Sequence, residues 1–234
     1  MTNISVVIPV LNEAKNLEQF LLYLEKNTQT TRVLELLIVD GGSTDGSQEI
    51  VAEFSKTNPK FKGLSSPKGR AKQMNFGASK AAGSLLYFLH ADSLPPQNFD
   101  RYIVEAVANG ANSGCFKMKF DTDNWWLKTM GWFTKLNWKS CRGGDQSLFV
   151  EKKCFELLGG YDENFIVYED NDFIFKLYKH FNFKVIQQWI TTSARRYASN
   201  GIWTLQYHFL VIHLKKLTGG TPKQLESYYI EHIK

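Results

Sequence analysis

The sequence predicts an α/β fold built on a mixed, mainly parallel sheet flanked by helices. Three observations predict it. Short continuous apolar runs such as VVIPV and LLIVD are bounded by turn residues, as strands buried on both faces of a sheet are. These runs alternate with stretches of helical periodicity, the order that builds parallel pairing. Three of them discharge into acid-bearing loops, at Glu13, Asp40 and Asp92. Ligands in open α/β sheets collect outside the carboxyl ends of the strands, so these three carboxylates stand where a ligand would lie.

The elements follow in order. A strand is expected near 4–10, a helix near 14–27, a strand near 34–40 and a helix near 46–57. Pro67 precedes a helical stretch that runs through Ala82, because proline is tolerated at the start of a helix. SLLYFLH (84–90) is the next buried strand, and Pro95-Pro96 opens a helix to about Ala108. Beyond residue 112 the pattern loosens into SGCFKMKF, an aromatic stretch from Trp125 to Trp138, a short strand SLFV, and a helix near 151–158. Mixed rather than purely parallel pairing is expected there. A helix opens at YEDND (168–172), a strand covers about 183–190, and IWTLQYHFLVIHLKKL (202–217) reads as a helix that is apolar on most of its circumference. Residues 1–198 are expected to form one domain, with 199–234 a helical extension packed on it or on a membrane surface. Tyr228, Tyr229 and the residues after them show no readable pattern.

Composition narrows the function classes. A chain of 234 residues with 43% hydrophobic content suffices for one sizeable α/β domain. The net charge of +5 suits a nucleoside diphosphate or an anionic surface. Its basic residues are scattered among acids rather than clustered, so a nucleic-acid partner is not expected. Three cysteines, in no CxxC pattern, indicate neither a disulfide framework nor a zinc site and fit a reducing cytoplasm. No basic-then-apolar leader opens the sequence, so no signal peptide is expected. The 202–217 segment is too short and polar to span a bilayer, with Gln206, His208 and His213 inside it. A peripheral position at the inner face of the membrane remains compatible with it, as does packing on the domain. The patterns GxGxxG and GxxxxGK[ST] are both absent, which sets aside a dinucleotide-binding dehydrogenase and a P-loop NTPase.

The motifs VVIPVLNE, LLIVDGGSTDGS, FLHADS, GGDQ and YEDND, in that order, resemble the family 2 glycosyltransferases with a GT-A fold, which is Rossmann-like, and the resemblance spans nearly the whole chain. It implies an inverting transfer of a sugar from a UDP- or GDP-sugar to an acceptor hydroxyl. Pro9, Asn12 and Glu13 would line the donor site, Glu13 accepting hydrogen bonds from ribose hydroxyls, and Asp40 would accept one from the base. On the residues alone, Asn12 or Glu13 equally suits a cap for the first helix, and Thr44 or Asp45 a cap for the second. PKGRAKQMNFGA (67–78) resembles the family's GRAxQxN segment, which implies that Arg70 clamps the diphosphate or stacks on the base. HADS stands where the family usually has DxD: His90 replaces the first acid, Ala91 lies between, and Asp92 is retained. The resemblance implies that Asp92 holds a divalent cation, Mn²⁺ or Mg²⁺, which neutralises the leaving diphosphate.

Asp145 and Gln146 of GGDQ would read sugar hydroxyls. Asp170 of YEDND would be the catalytic base, with Glu169 orienting or binding the acceptor and Asp172 next in line as base. An acid cluster there also complements a helix N-terminus. Arg195 and Arg196, on what reads as an extended segment, would point to opposite faces, one of them to the phosphates. Two other functions stay open: a non-catalytic nucleotide-sugar binding protein and a sugar nucleotidyltransferase. The acceptor is unidentified. The aromatic stretch and the 202–217 helix suit one that is lipid-linked.

Overall fold

The computed structural model describes residues 2–28 and 31–233. Residues 1, 29, 30 and 234, which include the outer ends of the two expected segments, lie outside the described residues. The chain runs β1 (Ile4–Val10), α1 (Ala14–Asn27), β2 (Val33–Asp40), α2 (Ser47–Thr57), β3 (Phe61–Ser65), α3 (Arg70–Lys80), β4 (Leu85–Phe88), β5 (Ser93–Leu94), α4 (Phe99–Ala108) and β6 (Ser113–Phe120). It continues through α5 (Trp125–Phe133), β7 (Leu148–Glu151), α6 (Lys152–Leu157), α7 (Glu169–His180), β8 (Phe183–Thr192), α8 (Arg195–Asn200), α9 (Ile202–Leu217) and α10 (Pro222–His232).

The eight strands form one sheet in the order β3-β2-β1-β4-β7-β6-β8-β5. The β3-β2-β1-β4 half is parallel, β7 runs antiparallel to both β4 and β6, and β6 and β8 are parallel. The expected mixed pairing therefore starts at β7. Alternate residues of β1 and β2 serve opposite faces. Val6, Ile8, Leu36 and Ile38 pack with Leu17 and Leu21 of α1 and Phe99 of α4, while Val7, Leu37 and Val39 pack with Met74 of α3 and Phe173 and Leu177 of α7. Burial of each such side chain contributes about 1.5–3 kcal/mol, and this two-sided demand makes the strands read as unbroken apolar runs. A third cluster joins Phe165 and Tyr168 to Leu205, Ile212 and Leu225, and so fastens α9 and α10 to the loop before α7.

Two contacts fix the edge of the sheet that bears the acidic loops. The amide of Gln73 in α3 donates to the carbonyls of Val10 (2.8 Å) and Val39 (2.7 Å), joining the ends of β1 and β2 from below. Gly77, one turn on, lets α3 approach closely: a Cβ there would lie 2.4 Å from Cγ1 of Val7 and 3.0 Å from Cγ2 of Val39. Elsewhere in the sheet, buried Glu35 of β2 accepts from the hydroxyl of Ser5, the backbone N–H of Ala82 and Nζ of Lys62, each at 2.7 Å. Those bonds make an acid tolerable inside a strand.

Gly77→Ala sets two effects against each other. Alanine favours a helix by about 1 kcal/mol. The new methyl meets stiff, β-branched valines in a filled core, and overpacking costs about 1–3 kcal/mol. Net destabilisation is expected, read as a lower urea midpoint; an unchanged or higher midpoint would show that Val7 moves aside freely.

Candidate functional site

Two neighbouring cavities open beyond the carboxyl ends of β1 and β4. The first, of about 670 Å³, is walled by Pro9, Glu13, Lys68, Arg70, Lys72 and Asp92, among others, with His90, Ala91, Asp145, Arg195 and Arg196 completing its floor and mouth. The second, of about 380 Å³, is lined by Glu169, Asp170, Gly144, Tyr197, Phe209 and Leu210, among others. Arg70, Asp145 and Arg196 line both, so the two spaces meet along those three side chains. Volumes of this order suit small-molecule ligands.

The junction is a charge cluster. Arg70, in the first turn of α3, places Nε 2.5 Å from Oε1 of Glu169 and Nη1 3.9 Å from Oδ2 of Asp170. His90, at the end of the β4 run, lies 3.8 Å from Asp145 through Nδ1 and 3.9 Å from Asp170 through Nε2. Burial opposes protonation of His90 and so does Arg70, but the nearby carboxylates of Asp145 and Asp170 outweigh them, and its pKa is raised. Asp145 is the complement: burial raises it, while His90, Arg70 and Arg196 together hold it below the usual carboxylate range. Glu169 is 1% exposed, and burial pushes its pKa up against the opposing pull of Arg70. Its carboxylate makes no well-aligned hydrogen bond, so Arg70 is the group that compensates it. Asp170, beside it, remains partly open to the second cavity.

The local backbone presents these acids. Tyr168 takes φ 80°, the left-handed region that costs a bulky residue about 1–3 kcal/mol, and it turns the chain into α7. Its ring is held by Phe165, Phe175 and His213. Gly144 lies directly under Asp170: a Cβ there would fall 2.0 Å from Oδ2 of Asp170 and 2.8 Å from Cε1 of His90. Only glycine lets the GGDQ loop pass so near the carboxylate.

That loop also shows how Gln146 is held. Gln146 is 3% exposed and turned inward. Its Oε1 accepts from Nη1 of Arg142 (2.5 Å) and from the thiol of Cys115 (3.3 Å), and its Nε2 donates to the carbonyl of Cys141 (2.6 Å). These bonds use three of the amide's four hydrogen-bonding positions, and Gln146 also helps to line the second cavity. Arg142, which the sequence did not single out, organises the loop: it donates to the carbonyls of Thr134 (2.7 Å), Leu136 (2.5 Å) and Trp138 (3.2 Å). A buried guanidinium with its donors used in this way is a fastening, and Asn171 of α7 in turn donates to the Arg142 carbonyl at 2.8 Å.

The first two loops divide their labour among several polar side chains. Asp40 is 6% exposed and lies outside both cavity linings. Its Oδ2 accepts from the backbone N–H of Gly42 (2.8 Å), that of Ser43 (3.0 Å) and the amide of Gln48 (2.6 Å). Burial would raise its pKa, but these bonds prevail and lower it. Oδ1, with one long contact of 3.3 Å to the N–H of Ser43, is what remains for a ligand. Asn12, at φ 55°, ties the loops together through its Oδ1, which accepts from Thr44 N–H at 2.9 Å. Asp45 caps both neighbouring helices, accepting from the N–H of Ala14 (2.9 Å) and of Ser47 (3.1 Å). Glu13 is thereby free of capping and forms a two-pronged ion pair with Arg195, at 2.8 and 3.1 Å. Arg195 and Arg196 sit in helix α8, not on an extended segment, because the strand ends at Thr192. On a helix, adjacent residues lie about 100° apart, and both reach the first cavity. Arg196 also donates to the hydroxyl of Tyr229, which brings α10 into the wall.

Asp92 meets the chemistry a divalent cation asks for. It is a hard oxygen ligand on the cavity wall, and burial, with the charges of Asp145 and Glu13, raises its pKa despite His90 and Arg195. A cation would relieve that repulsion. Among the described residues no group of three His, Cys, Asp or Glu side chains converges to cage an ion alone. Any ion there would take one carboxylate from the protein and further oxygens from ligand and water.

The model of the family described as Glycosyl transferase family 2 matches residues 5–157. The chain belongs to that family. It is 35% identical over 98 residues to "Glycosyltransferase AglE" of Haloferax volcanii, covering 41% of this chain and 32% of that one. Two solved structures share its fold. S. aureus TarS 1-349 in complex with UDP superposes with a TM-score of 0.69 at 18% identity, over 82% of this chain and 60% of the other. The mannosyltransferase PcManGT of Pyrobaculum calidifontis, in complex with GDP-Man and Mn²⁺, gives 0.71 at 17% identity, over 97% and 69%. The family 2 chain thus spans about a third of AglE's length. Both structures are GT-A glycosyltransferases, and the mixed sheet flanked by helices is that fold.

Glu169 gives this family 2 site a pH signature. Its unfolded pKa is about 4.3, and its folded value lies higher. Its contribution to stability is therefore fully present below about pH 4.3 and is lost as pH rises through the folded value. Glu35 and Asp40, both lowered, act in the opposite sense, gaining stability above their unfolded values. Glu169→Gln is expected to remove the falling component, so that the variant gains stability relative to wild type as pH rises above about 4.3. Parallel urea-unfolding profiles of the two proteins would show that Arg70 cancels the burial cost.

Proposed function

We propose that the protein transfers a sugar, with inversion, from a nucleoside-diphosphate sugar to an acceptor hydroxyl. The observation that carries this is the placing of Asp170: a carboxylate open to one cavity at its junction with a second that is rimmed by Lys68, Arg70, Lys72, Arg195 and Arg196. That distribution suits an anionic donor on one side and a neutral nucleophile on the other. The complexes of TarS with UDP and of PcManGT with GDP-Man and Mn²⁺ support a UDP- or GDP-sugar here.

In this reading the roles follow from position. Arg195 exchanges its pairing with Glu13 for the diphosphate, which leaves Glu13 to accept from the ribose. Asp145, at the meeting of the cavities, faces the sugar. Asp170 accepts the proton of the acceptor hydroxyl as that oxygen attacks the anomeric carbon, and the nucleoside diphosphate departs from the opposite face with the bonding electrons. Glu169 acts through Arg70, holding the guanidinium beside Asp170 rather than touching substrate. Asp92 would hold Mn²⁺ or Mg²⁺, which supplies charge neutralisation to the leaving diphosphate. Residues 199–234 serve as a cover, since Glu226 of α10 reaches the donor cavity and Phe209 and Leu210 of α9 the second one.

The test starts with binding. A thermal-shift series with UDP, GDP, CDP, dTDP and ADP, each with Mn²⁺ and with EDTA, is expected to give a rise in melting temperature for UDP or GDP that EDTA abolishes. Asp92→Asn is expected to lose that metal-dependent rise; a rise that survives EDTA in the wild type removes the ion from the proposal. Asp170→Asn is expected to retain the shift and to lower donor turnover by about 10²–10⁴-fold. Unchanged turnover in that variant would end the role of Asp170 as base, and a donor that binds but is never turned over would identify a binding protein.

A further inference from the structure

Helix α9 carries a second apolar face that the fold does not cover. Leu205 and Ile212 point inward and are buried. Trp203, Tyr207, Leu210, Leu214 and Leu217 recur at alternating steps of four and three, which places them along one side of a helix about 24 Å long. Each is more than half exposed, from 51% for Leu214 to 76% for Leu217. The stripe does not end with the helix. Trp203 packs on Trp126 of α5 with ring centroids 4.8 Å apart, and Trp126 meets Trp125 at 5.7 Å. On α5, Trp125 and Trp132 are seven residues apart on one face and are themselves 66% and 49% exposed. An uncovered surface of this extent calls for an occupant.

The charges around it select one. Residues 124–140 and 201–220, which supply the surface, contain Lys128, Lys135, Lys139, Lys215 and Lys216 and no aspartate or glutamate. Lys135 lies 3.4 Å above the ring of Trp132, an ammonium set at the edge of an apolar surface. Lys128 pairs with Asp123 and Lys216 lies 3.9 Å from Asp172, so the local excess is smaller than the count but keeps its sign. A second copy would bring lysine against lysine, without the acid partners that order a helix pair. Tryptophans and leucines flanked by lysines instead match the boundary of an anionic bilayer, where rings enter the headgroup layer and ammonium groups meet phosphates. Among the described residues no helix is long and apolar enough to cross a membrane, so the contact is one of lying on the surface.

We infer that the α9 stripe and the α5 tryptophans form a docking face for a bilayer bearing anionic phospholipid. Leu210 belongs both to this stripe and to the wall of the cavity that contains Asp170. Docking therefore sets that cavity against the headgroup layer. If the proposed function holds, the accepting hydroxyl is one presented at a lipid surface.

Co-sedimentation of the full chain with phosphatidylcholine vesicles, with and without phosphatidylglycerol, tests the face without any donor, so its result is independent of glycosyl transfer. Binding is expected only with phosphatidylglycerol, weakening as salt is raised. The double variant Tyr207→Glu/Leu214→Glu, both at exposed positions, is expected to keep the wild-type circular dichroism spectrum and to bind roughly tenfold more weakly. Failure of the wild type to bind, or equal binding by a folded double variant, would overturn the inference. So would a lipid-free dimer, seen by light scattering, that the double variant dissociates, since the stripe would then belong to a second copy.

Discussion

The ion pair between Arg70 and Glu169 is the constraint on which the site depends. It joins the first turn of α3 to the first turn of α7, two helices far apart in the chain and held on the same face of the sheet. Glu169 has surrendered its water, neither of its carboxylate oxygens makes a well-aligned hydrogen bond, and the charge of this guanidinium is its chief compensation. A charge pair of this kind adds little net stability over an apolar pair, but the loss of either member leaves an uncompensated charge. Its value is positional. With Glu169 fixing Arg70, the guanidinium lies between two cavities and within 3.9 Å of Asp170, whose carboxylate is the only one of the α7 pair open to a ligand.

Around that pair, the fold works as a set of fastenings that leave a few groups unspent. Gln73 holds the ends of β1 and β2, Arg142 holds the 134–146 loop, and Asp45 caps two helices at once. With those polar side chains engaged internally, the carboxylates Glu13, Asp92, Asp145 and Asp170 and the basic rim are among the groups that face the cavities. The same economy explains why polar residues in one motif have different fates. In GGDQ, Asp145 lines both cavities, while Gln146 lines the second and spends most of its hydrogen bonds on Arg142, Cys115 and Cys141. In the loop after β2, Asp40 supports the turn rather than the cavity wall.

Much of this was legible in the sequence. Continuous apolar runs located β1, β2 and β4, since burial on two faces leaves little choice of residue. Acid-bearing loops at strand ends pointed to Glu13 and Asp92, which line the first cavity, and the resemblance of YEDND pointed to Asp170, which lines the second. The short edge strand β3 was not legible, because only Phe61 of its five residues is buried and no alternation develops. Gly144 and Arg142 were equally hidden: one is defined by the space beneath Asp170, the other by carbonyls that converge only in the folded loop. Helix α10 did leave a signal that went unread. Thr221-Pro222-Lys223-Gln224 is a capping box with proline at the first helical position, and the structure forms both of its bonds. The α8 turn around Arg195 was misjudged as extended because six residues are too few to show helical periodicity.

The two margins of the sheet have a consequence for how molecules of this protein meet others. An exposed, flat, apolar margin invites a foreign strand to add to it. Here one margin is β5, two residues long, and the other is β3, where the side chains of Lys62 and Ser65 face water and Lys62 is drawn back to Glu35. β5 pairs only with Thr191 and Thr192 of β8, and the rest of that strand's margin is interrupted by the irregularity between Ile186 and Trp189 and by exposed Lys184, Gln187 and Gln188. Strand exchange and fibril-like growth therefore have poor starting points, even though the core strands are among the most apolar segments of the chain.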